Sequence, residues 1–530
     1  MRELYKDAKE FVFRHKAALI VNAVICVICY GHMAFSQNVG IDTEHVINHP
    51  GVSMQWETVG RQGLLYTKNL FGVINYNPYF NGALFLAGFI LLGSMVSFLC
   101  FIASGRNDKY PYGFFSVLFS TCPVWMMQFY FALQRAEVVL GMIYGVISVF
   151  ALFQIVFLNQ RKIYWFLICL LFGMWCFSSY QACAFLYISL CIICYLLDFF
   201  REPDRKMSVY FKKIAGLILG FGIVYLSYTF AVKPTLSNGW YIKGQMKWGV
   251  WPLSQNLALI FDHVKCLLNW YRPDNVSAYP LALICVSLLF CLYVFKSKKN
   301  SVPLFLGLAG LLIAPFLMSI YIGNKALGRS QSALPVVAAF ACMLFWGFLS
   351  TWEEKKLRIL KWVSMFAGGI MVWAGMAVIL AFVYTDDIRY RDDVNTARMI
   401  ASDLYQTEGY RELPVIFVGE KDAELNGACL EADLYGYSFF KWDYSDGNPT
   451  GATWRILGFM NTLGIELEDG SRFSEKALKA AENMPYFPQK GYISVQDKYV
   501  VIKLSEVPSS KSRKPRKSQD SWKLWHFRKN

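Results

Sequence analysis

The segment NVGIDTEHVINHPGVSMQWETVGRQG, residues 38–63, contains the side chains of this sequence that are best suited to acid–base chemistry. Asp42 and Glu44 lie two positions apart, so their side chains point the same way in an extended segment and diverge in a helix. A carboxylate that is desolvated beside apolar groups has a raised pKa and is a better base toward a hydroxyl group. The segment therefore predicts a general base, and the alternative left open is a solvated acidic loop that caps a short helix.

A metal site in the same segment is a further interpretation. Asp42, His45 and His49 occur at i, i+3 and i+7, which would place them on one face of a helix. Pro50 ends such a helix directly after His49. We therefore predict no set of metal ligands from these residues.

Two arginines, Arg61 in GRQG and Arg329 in GNKALGRSQSALP, have the side chain that favours phosphate recognition. A guanidinium group presents a fixed fork of donors that matches phosphate oxygens. The alternative for Arg329 is an arginine that reaches the membrane surface or pairs with a carboxylate such as Glu137. Arg61 admits the same two interpretations, so both arginines are candidate phosphate-binding residues.

Other polar residues stand in turns at the ends of hydrophobic segments. Ionisable groups at membrane depth are costly and tend to face a cavity or a partner. One such turn follows a hydrophobic segment near residue 133, and the other lies between two hydrophobic segments near residue 181. The candidate substrate-binding residues in these turns are Gln134, Glu137, Tyr180 and Gln181.

The elements that must position these residues are transmembrane helices. Hydrophobic residues make up 55% and charged residues 17% of the 530 residues, whereas a soluble globular chain has about a quarter charged residues. Apolar runs of about 20 residues, the length that a helix needs to cross a bilayer, recur along most of the chain. The eleven predicted spans lie approximately at residues 17–35, 82–103, 111–133, 136–158, 163–181, 182–200, 214–232, 279–296, 302–322, 331–350 and 362–384.

Lysine and arginine residues precede the first span and recur in every second loop, a distribution typical of cytoplasmic segments. This pattern places the N-terminus in the cytoplasm and, with eleven spans, everything after Tyr384 outside. No small-residue cleavage site follows the first apolar segment, which predicts an uncleaved first helix of a multi-pass protein of the plasma or inner membrane. The net charge of +15 comes mostly from these loops and a tail, which suits the headgroups of a lipid bilayer and excludes nucleic acid as the expected partner.

Three parts are expected along the chain. Residues 1–384 form the transmembrane domain, with a long first external loop at residues 36–81. Residues 385–505 are predicted to form a domain in which RDDVNTARMIASDLYQ is a helix, LPVIFVGE a buried strand and GYISVQDKYVVIKL a hairpin. Residues 506–530 are basic, lack apolar periodicity and are predicted to be disordered. The predicted fold class is an all-α polytopic membrane protein with a small C-terminal extracytoplasmic α/β domain.

Several short segments, taken together, resemble one family, the GtrII-type glucosyltransferases of the GT-C superfamily. They occur in the same order between residues 38 and 340: GIDTEHVINHP, GRQGLLYTKNLFG followed by YNPYF, LQRAEV, SSYQACAFLYIS and GRSQSALP. The resemblance implies many transmembrane helices, catalytic carboxylates in the first external loop and a sugar on polyprenyl phosphate as donor. It also implies a cell-surface glycan, such as O-antigen or another envelope glycopolymer, as acceptor. The acidic motif of the family falls on Asp42 and Glu44, and its Gly-Arg element falls on Arg61.

This chain has Asp-Thr-Glu where some members have adjacent aspartates, so the choice of base stays open. The hypothesis is an inverting glycosyltransferase, with glucose as the family's default sugar. Asp42 is the expected base, and Glu44 orients the acceptor or shares that role. Arg61 and Arg329 hold the departing phosphate. The resemblance also leaves room for a divalent cation near the two acids, which phosphate neutralisation by the arginines would make unnecessary.

Other classes of function compete with this hypothesis. A flippase or transporter of lipid-linked sugars would also have many spans with buried charges, but internal repeats and broken helices are expected there, and we find no convincing repeat. An assembly or scaffold protein gives no reason for acids and arginines at several span ends. A polymer ligase that uses a lipid-linked oligosaccharide would differ from the hypothesis in the size of its donor more than in its chemistry.

Overall fold

The computed structural model divides the chain into two compact units. The first comprises Met1–Gln37 and Pro50–Val383, and the second comprises Asn38–His49 and Tyr384–Asn530. The structure describes residues 2–51, 56–237, 244–269, 277–297, 299–351, 355–410 and 412–507. The tail that the sequence predicts to be disordered lies, from residue 508 on, outside these described residues.

The described helices and strands are numbered here in chain order. The helices are α1 (Arg2–Phe35), α2 (Thr43–Asn48), α3 (Gln62–Leu70), α4 (Pro78–Ala103), α5 (Tyr112–Ser120), α6 (Val124–Phe129), α7 (Arg135–Val156), α8 (Ile163–Ser179), α9 (Cys183–Arg201), α10 (Met207–Val232), α11 (Leu253–Leu268), α12 (Ala278–Lys296), α13 (Ser301–Ile313), α14 (Leu317–Ile322), α15 (Ala333–Leu349), α16 (Lys355–Gln406), α17 (Thr453–Thr462) and α18 (Ser474–Ala481). The strands are β1 (Val415–Val418), β2 (Ile493–Val495) and β3 (Val500–Lys503).

The first unit is helical, and all eleven predicted hydrophobic segments are helical in it. Within the described residues, eight helical stretches are long and apolar enough to cross a membrane: Leu4–Phe35, Pro78–Ala103, Arg135–Val156, Cys183–Arg201, Met207–Thr235, Ala278–Lys296, Ser301–Ile322 and Leu357–Gln406. The chain is therefore a multi-pass membrane protein. Two predicted spans correspond to the shorter apolar helices α8 and α15.

Two predicted spans are divided in the structure: 302–322, in which a 3₁₀ turn at Ala314–Phe316 lies between α13 and α14, and 111–133. The segment 111–133 consists of two short helices, α5 and α6, which are separated at Thr121–Pro123. Proline lacks a backbone N–H and disfavours helical backbone in the residue before it, so a helix usually ends ahead of it. The prediction of one continuous helix over this segment is therefore wrong, although the segment is buried and apolar.

Aromatic side chains hold the first helices of this unit together. The Tyr30 ring lies 5.2 Å from Phe89, and Phe85 lies 4.7 Å from Phe129, each pair in an edge-to-face arrangement. Such pairs add about 0.5–1.5 kcal/mol to the burial of the rings. The Tyr30 hydroxyl donates to the Ser120 carbonyl at 2.7 Å. These contacts join α1, α4, α5 and α6 and thereby fix the turn that follows α6.

The second unit contains α2, the part of α16 after Val383, α17, α18 and a three-stranded sheet. β1 pairs in parallel with β3, with Val415 opposite Val500, and β2 pairs antiparallel with β3, with Ile493 opposite Ile502. The strand order is β1-β3-β2. The predicted buried strand and the predicted hairpin are therefore confirmed.

The core of the second unit includes a residue from the segment 38–49. Val39 packs with buried side chains of α16, α17 and β1, among them Ile400, Ile456 and Phe417. The Val39 carbonyl also accepts a hydrogen bond from Arg389 Nη1 at 2.9 Å. These contacts explain why this short segment, which follows α1 in the chain, belongs to the same compact unit as the C-terminal elements.

Candidate functional site

Asp42 and Glu44 lie at the start of α2 and share one partner, Arg455 of α17. Arg455 Nη1 is 2.9 Å from Asp42 Oδ1 and 2.6 Å from Glu44 Oε1. Its Nε atom is 2.9 Å from Asp443 Oδ2. The planar guanidinium group, which presents several donors in fixed directions, thus joins three carboxylates. The structure brings the two predicted acids together through an arginine that is far from them in the sequence.

The backbone at Asp42 explains how both acids reach the same guanidinium. Asp42 has a φ of 68°, in the left-handed region that aspartate adopts more readily than most residues. It stands directly before α2, and its side chain accepts no capping hydrogen bond from that helix. Asn48, the last residue of α2, donates to the Gly458 carbonyl at 2.7 Å. The turn and this contact hold α2 against α17 with Asp42 and Glu44 on the same side.

Asp42 and Glu44 differ in the solvent exposure of their side chains. The Glu44 side chain is 2% exposed, and its Oε2 atom has no hydrogen-bond partner among the residues that the structure describes. The Asp42 side chain is 36% exposed. Because a base must reach the hydroxyl group that it deprotonates, Asp42 is the better candidate for that role. Glu44 is better placed to hold Arg455.

Burial raises the pKa of Glu44 to about 7, although the adjacent Arg455 opposes the shift; the negative charge of Asp42 adds to it. The direction follows from the geometry of the cluster. Arg455 divides its positive charge among three carboxylates, and the buried Oε2 atom of Glu44 receives no hydrogen bond from the described residues. Glu44 therefore gains a proton more readily than an exposed glutamate.

Glu44→Gln is expected to remove a pH dependence from the stability of the protein. The folded pKa of about 7 exceeds the ordinary value of 4.5, so the stabilisation is fully present below pH 4.5 and is lost as pH rises through 7. The wild type should lose about 2–3 kcal/mol between pH 5 and pH 8, and Glu44→Gln should stay nearly constant. Thermal unfolding in detergent at several pH values measures this difference.

The control for this prediction is Glu468→Gln, which removes the charge of a glutamate whose side chain is 57% exposed. We expect its unfolding temperature to follow that of the wild type across the pH range. Equal slopes for the wild type and Glu44→Gln would contradict the raised pKa of Glu44.

In the first unit, Arg61 lies between a 3₁₀ turn and the start of α3. Its Nε atom donates to Gln181 Oε1 at 3.1 Å, and its guanidinium carbon is 4.9 Å from the centre of the Tyr180 ring. Gln181 in turn donates through Nε2 to the Val59 carbonyl at 2.7 Å. Three of the residues predicted from the sequence, Arg61, Tyr180 and Gln181, therefore lie in contact.

The two glycines of the GRQG segment explain the close approach of this turn to its neighbours. Gly60 has a φ of 82°, and a Cβ atom there would lie 3.0 Å from the Tyr228 hydroxyl oxygen. That hydroxyl donates to the Gly60 carbonyl at 3.1 Å. A Cβ atom at Gly63 would collide with Ser178 Oγ. The segment presses against α8 and α10, which fixes the backbone on both sides of Arg61.

Arg329 lies in a short 3₁₀ turn before α15, with its guanidinium carbon 5.4 Å from the centre of the Phe131 ring. Ser332 Oγ donates to the Ala182 carbonyl at 3.1 Å, which joins this loop to the turn that carries Gln181. Within the described part of the chain, the Arg329 side chain has no hydrogen bond or ion pair. The same holds for the Nη atoms of Arg61, so both guanidinium groups have donors left for a ligand.

Glu137 pairs with Lys68, and the interpretation in which Glu137 is the partner of Arg329 is wrong. Lys68 Nζ is 2.8 Å from Glu137 Oε1, and the two side chains are 1% and 0% exposed. Lys68 also donates to the Leu133 carbonyl at 2.8 Å. Gln134, the next residue, is buried at the start of α7. This ion pair fixes the turn between α6 and α7.

The sequence contained signals for two residues that were missed. Lys68 is the one cation within GRQGLLYTKNLFG after Arg61, and it precedes a helix end in a largely apolar segment. Arg455 is a charged residue among the buried residues of α17, which include Ile456 and Phe459. A buried charge needs a partner, so each position indicates an ion pair. Neither signal identifies the partner.

A divalent cation between Asp42 and Glu44 does not fit the residues present, because Arg455 already supplies positive charge to both carboxylates. Within the described ranges, no group of three or more histidine, cysteine, aspartate or glutamate side chains is arranged to hold a metal ion. His45 and His49 instead lie ring to ring, with their centres 4.5 Å apart.

The helices of spanning length define a multi-pass membrane protein, in whose first unit Arg61, Tyr180 and Gln181 lie in contact. The chain belongs to the glucosyl transferase GtrII family, whose model matches residues 31–346. The family that the short segments resemble is thus confirmed, and the protein is a membrane glycosyltransferase. The match includes both acids and both candidate phosphate-binding arginines, but it ends well before Arg455. No curated protein matches the chain.

Proposed function

We propose that this protein is an inverting glycosyltransferase that moves a sugar, by family default glucose, from polyprenyl phosphate to a cell-envelope glycan. The observation that supports the proposal most directly is the pair of partly buried arginines, Arg61 and Arg329, with unused donors in the described part of the first unit. Charged donors held at the ends of membrane helices favour a phosphate group as ligand. The apolar helices beside them suit the polyprenyl chain.

The proposed reaction forms one bond and breaks one bond at the anomeric carbon of the sugar. The oxygen of an acceptor hydroxyl group attacks this carbon, and the proton of that hydroxyl passes to a carboxylate. The bond from the anomeric carbon to the phosphate oxygen breaks, and polyprenyl phosphate leaves with the electron pair. Phosphate is a good leaving group, so the enzyme needs cations for the developing charge more than a strong general acid. A single displacement inverts the anomeric configuration.

Asp42 is the proposed base, because it is the more exposed of the two acids. Glu44 acts as a positioning residue: its 2.6 Å contact with Arg455 holds the guanidinium group that contacts Asp42. After proton transfer, Asp42 is neutral and its ion pair with Arg455 weakens, which leaves Arg455 to its other two carboxylates.

Arg61 and Arg329 are proposed to bind the departing phosphate. Gln181 and Tyr180 orient Arg61 through the hydrogen bond and the ring contact described above. Gln134 and Glu137 support the adjoining turn, whose Phe131 ring contacts Arg329. We therefore expect the four side chains predicted to bind substrate to act mainly by positioning the two arginines.

The proposed topology retains eleven spans, with the N-terminus in the cytoplasm and the second unit outside. It requires that α8, α15 and the α5–α6 pair cross the membrane together with the eight stretches of spanning length. The alternation of basic loops supports this arrangement.

Glycosyl transfer by the purified full chain in nanodiscs tests the proposal. Synthetic polyprenyl-phosphate-glucose serves as donor and glycan isolated from the cell envelope as acceptor. We expect a glycosylated product whose anomeric configuration, read by NMR, is opposite to that of the donor. Retained configuration would overturn the single displacement. Binding of several polyprenyl-phosphate sugars without any product would favour the flippase.

Arg61→Ala is expected to lower kcat/KM for the donor by about 10–100-fold, since a hydrogen bond to a charged group contributes about 1.5–3 kcal/mol. Arg61→Lys keeps the charge but loses the forked geometry, so its activity should be intermediate. Arg161→Ala, a change at an exposed loop position, is the control and should retain wild-type activity. Wild-type kinetics for Arg61→Ala would exclude a phosphate contact.

A further inference from the structure

The second unit carries an exposed tryptophan beside the cluster of acids. Trp454 directly precedes Arg455 on α17, and 46% of its surface is exposed. The Arg455 guanidinium carbon lies over the indole ring, 3.8 Å from its centre. A large aromatic side chain held rigidly at the surface by a charged neighbour is typical of a binding surface, because its ring offers contact area at a small entropic cost.

Two carboxylates that contact the same Arg455 guanidinium group have oxygens available for a ligand. Asp42 and Asp443 are 36% and 42% exposed, and each uses one oxygen to contact Arg455. Their second oxygens, Asp42 Oδ2 and Asp443 Oδ1, have no hydrogen-bond partner among the residues described. The buried Oε2 atom of Glu44 in the same cluster is also without one. The cluster therefore has unused acceptors around a guanidinium group whose Nε and Nη1 atoms contact carboxylates and whose carbon lies over an indole ring.

We propose that Trp454, Asp42 and Asp443 bind a sugar unit of the acceptor glycan. A pyranose ring has a face of C–H groups that can pack on an indole ring, and hydroxyl groups at its edge that can donate to carboxylates. Three carboxylates face one guanidinium group, so the site favours neutral sugars or amino sugars and disfavours uronic acids. The inference rests on the proposed function in one respect: the hydroxyl group that reaches Asp42 is the one that is glycosylated.

The residues of the proposed sugar site come from two different parts of the chain. Asp443 and Trp454 lie outside the segment 31–346 that matches the family. Two of the three residues proposed to bind the acceptor sugar thus lie beyond the family segment, whereas Asp42 lies within it. Acceptor preference would then be a property of the second unit of this particular chain.

Saturation-transfer NMR on the full chain in nanodiscs tests this site directly. The probe is the water-soluble glycan released by mild acid from the envelope of the source cell. We expect binding by the wild type, an affinity about tenfold lower for Trp454→Ala and a largely retained affinity for Trp454→Phe. Asp443→Asn should also weaken binding. Tyr405→Ala, which changes another exposed aromatic residue of the same unit, should bind as the wild type does.

The outcomes separate this site from the proposed function. Equal affinity in the wild type and Trp454→Ala would overturn the sugar site, and so would absence of glycan binding by the wild type. Glycan binding that depends on Trp454, without any sugar transfer by the wild type, would retain the site and overturn the proposed reaction. If both the sugar site and the proposed reaction are correct, Trp454→Ala raises KM for the acceptor about tenfold and leaves kcat within about twofold of the wild type.

Discussion

Asp42→Asn is expected to lower the rate of glycosyl transfer by about 10²–10⁴-fold, the range that a positioned general base contributes. Asparagine keeps the shape of the side chain, and its amide oxygen can still accept a hydrogen bond from Arg455. It does not take up the proton of the acceptor hydroxyl. The loss should appear in kcat, while the KM for the donor changes little, because the donor phosphate is assigned to Arg61 and Arg329.

Two further variants make the Asp42 measurement specific. Glu44→Gln should lower kcat less than Asp42→Asn, because Arg455 keeps its contacts with Asp42 and Asp443. Asp422→Asn removes a carboxylate whose side chain is 73% exposed, and we expect the wild-type rate. Circular dichroism verifies that each variant is folded. Near wild-type transfer by Asp42→Asn, together with a large loss in Glu44→Gln, would assign the base to Glu44.

Lys68→Met is expected to destabilise the first unit by about 3–5 kcal/mol, the effect of removing one partner from a buried ion pair. The change leaves the carboxylate of Glu137 at 0% exposure without its cation, and the Leu133 carbonyl loses its donor. The unfolding temperature in detergent should fall by several degrees. Lys299→Met, which breaks a surface pair with side chains 66% and 74% exposed, should change stability by less than about 1 kcal/mol.

The double variant Lys68→Met with Glu137→Leu tests whether the loss arises from the unpaired charge. Replacement of a buried ion pair by apolar side chains of similar size is often neutral or stabilising. We therefore expect the double variant to recover most of the unfolding temperature lost in Lys68→Met. A double variant less stable than Lys68→Met would show that the two residues act separately and not as a pair.

The sequence was sufficient for the eight helical stretches of spanning length, because length and apolar content determine whether a helix can span a bilayer. It was also sufficient for the strands of the second unit, whose apolar pattern is local. The break in the segment 111–133 was missed because an average over about twenty residues hides a single proline at position 123. From the sequence, Arg61 and Gln181 could only be expected to lie near the ends of spans. Their contact could not be predicted, since it depends on how α8 packs.

The geometry of the acid cluster could not be predicted from local sequence patterns. The spacing of Asp42 and Glu44 leaves their relative direction undetermined, and the structure resolves it through the left-handed backbone at Asp42. Their different exposure depends on the packing of α2 against α17. The ion pair between Glu44 and Arg455 joins residues 411 positions apart, and the sequence around each residue contains no information about the other.

The sharing of Arg455 between segments distant in the chain has a consequence for protein engineering. A chimera that exchanges only the segment 31–346 between two members of the family would carry Asp42 and Glu44 into a protein with a foreign α17. The transplanted acids would then lack the Arg455 guanidinium group that they contact here, and Asn48 would lose its acceptor at Gly458 unless the recipient supplied both. Residues 38–49 and 443–458 should therefore be grafted together, and substitutions in one segment are expected to covary with those in the other.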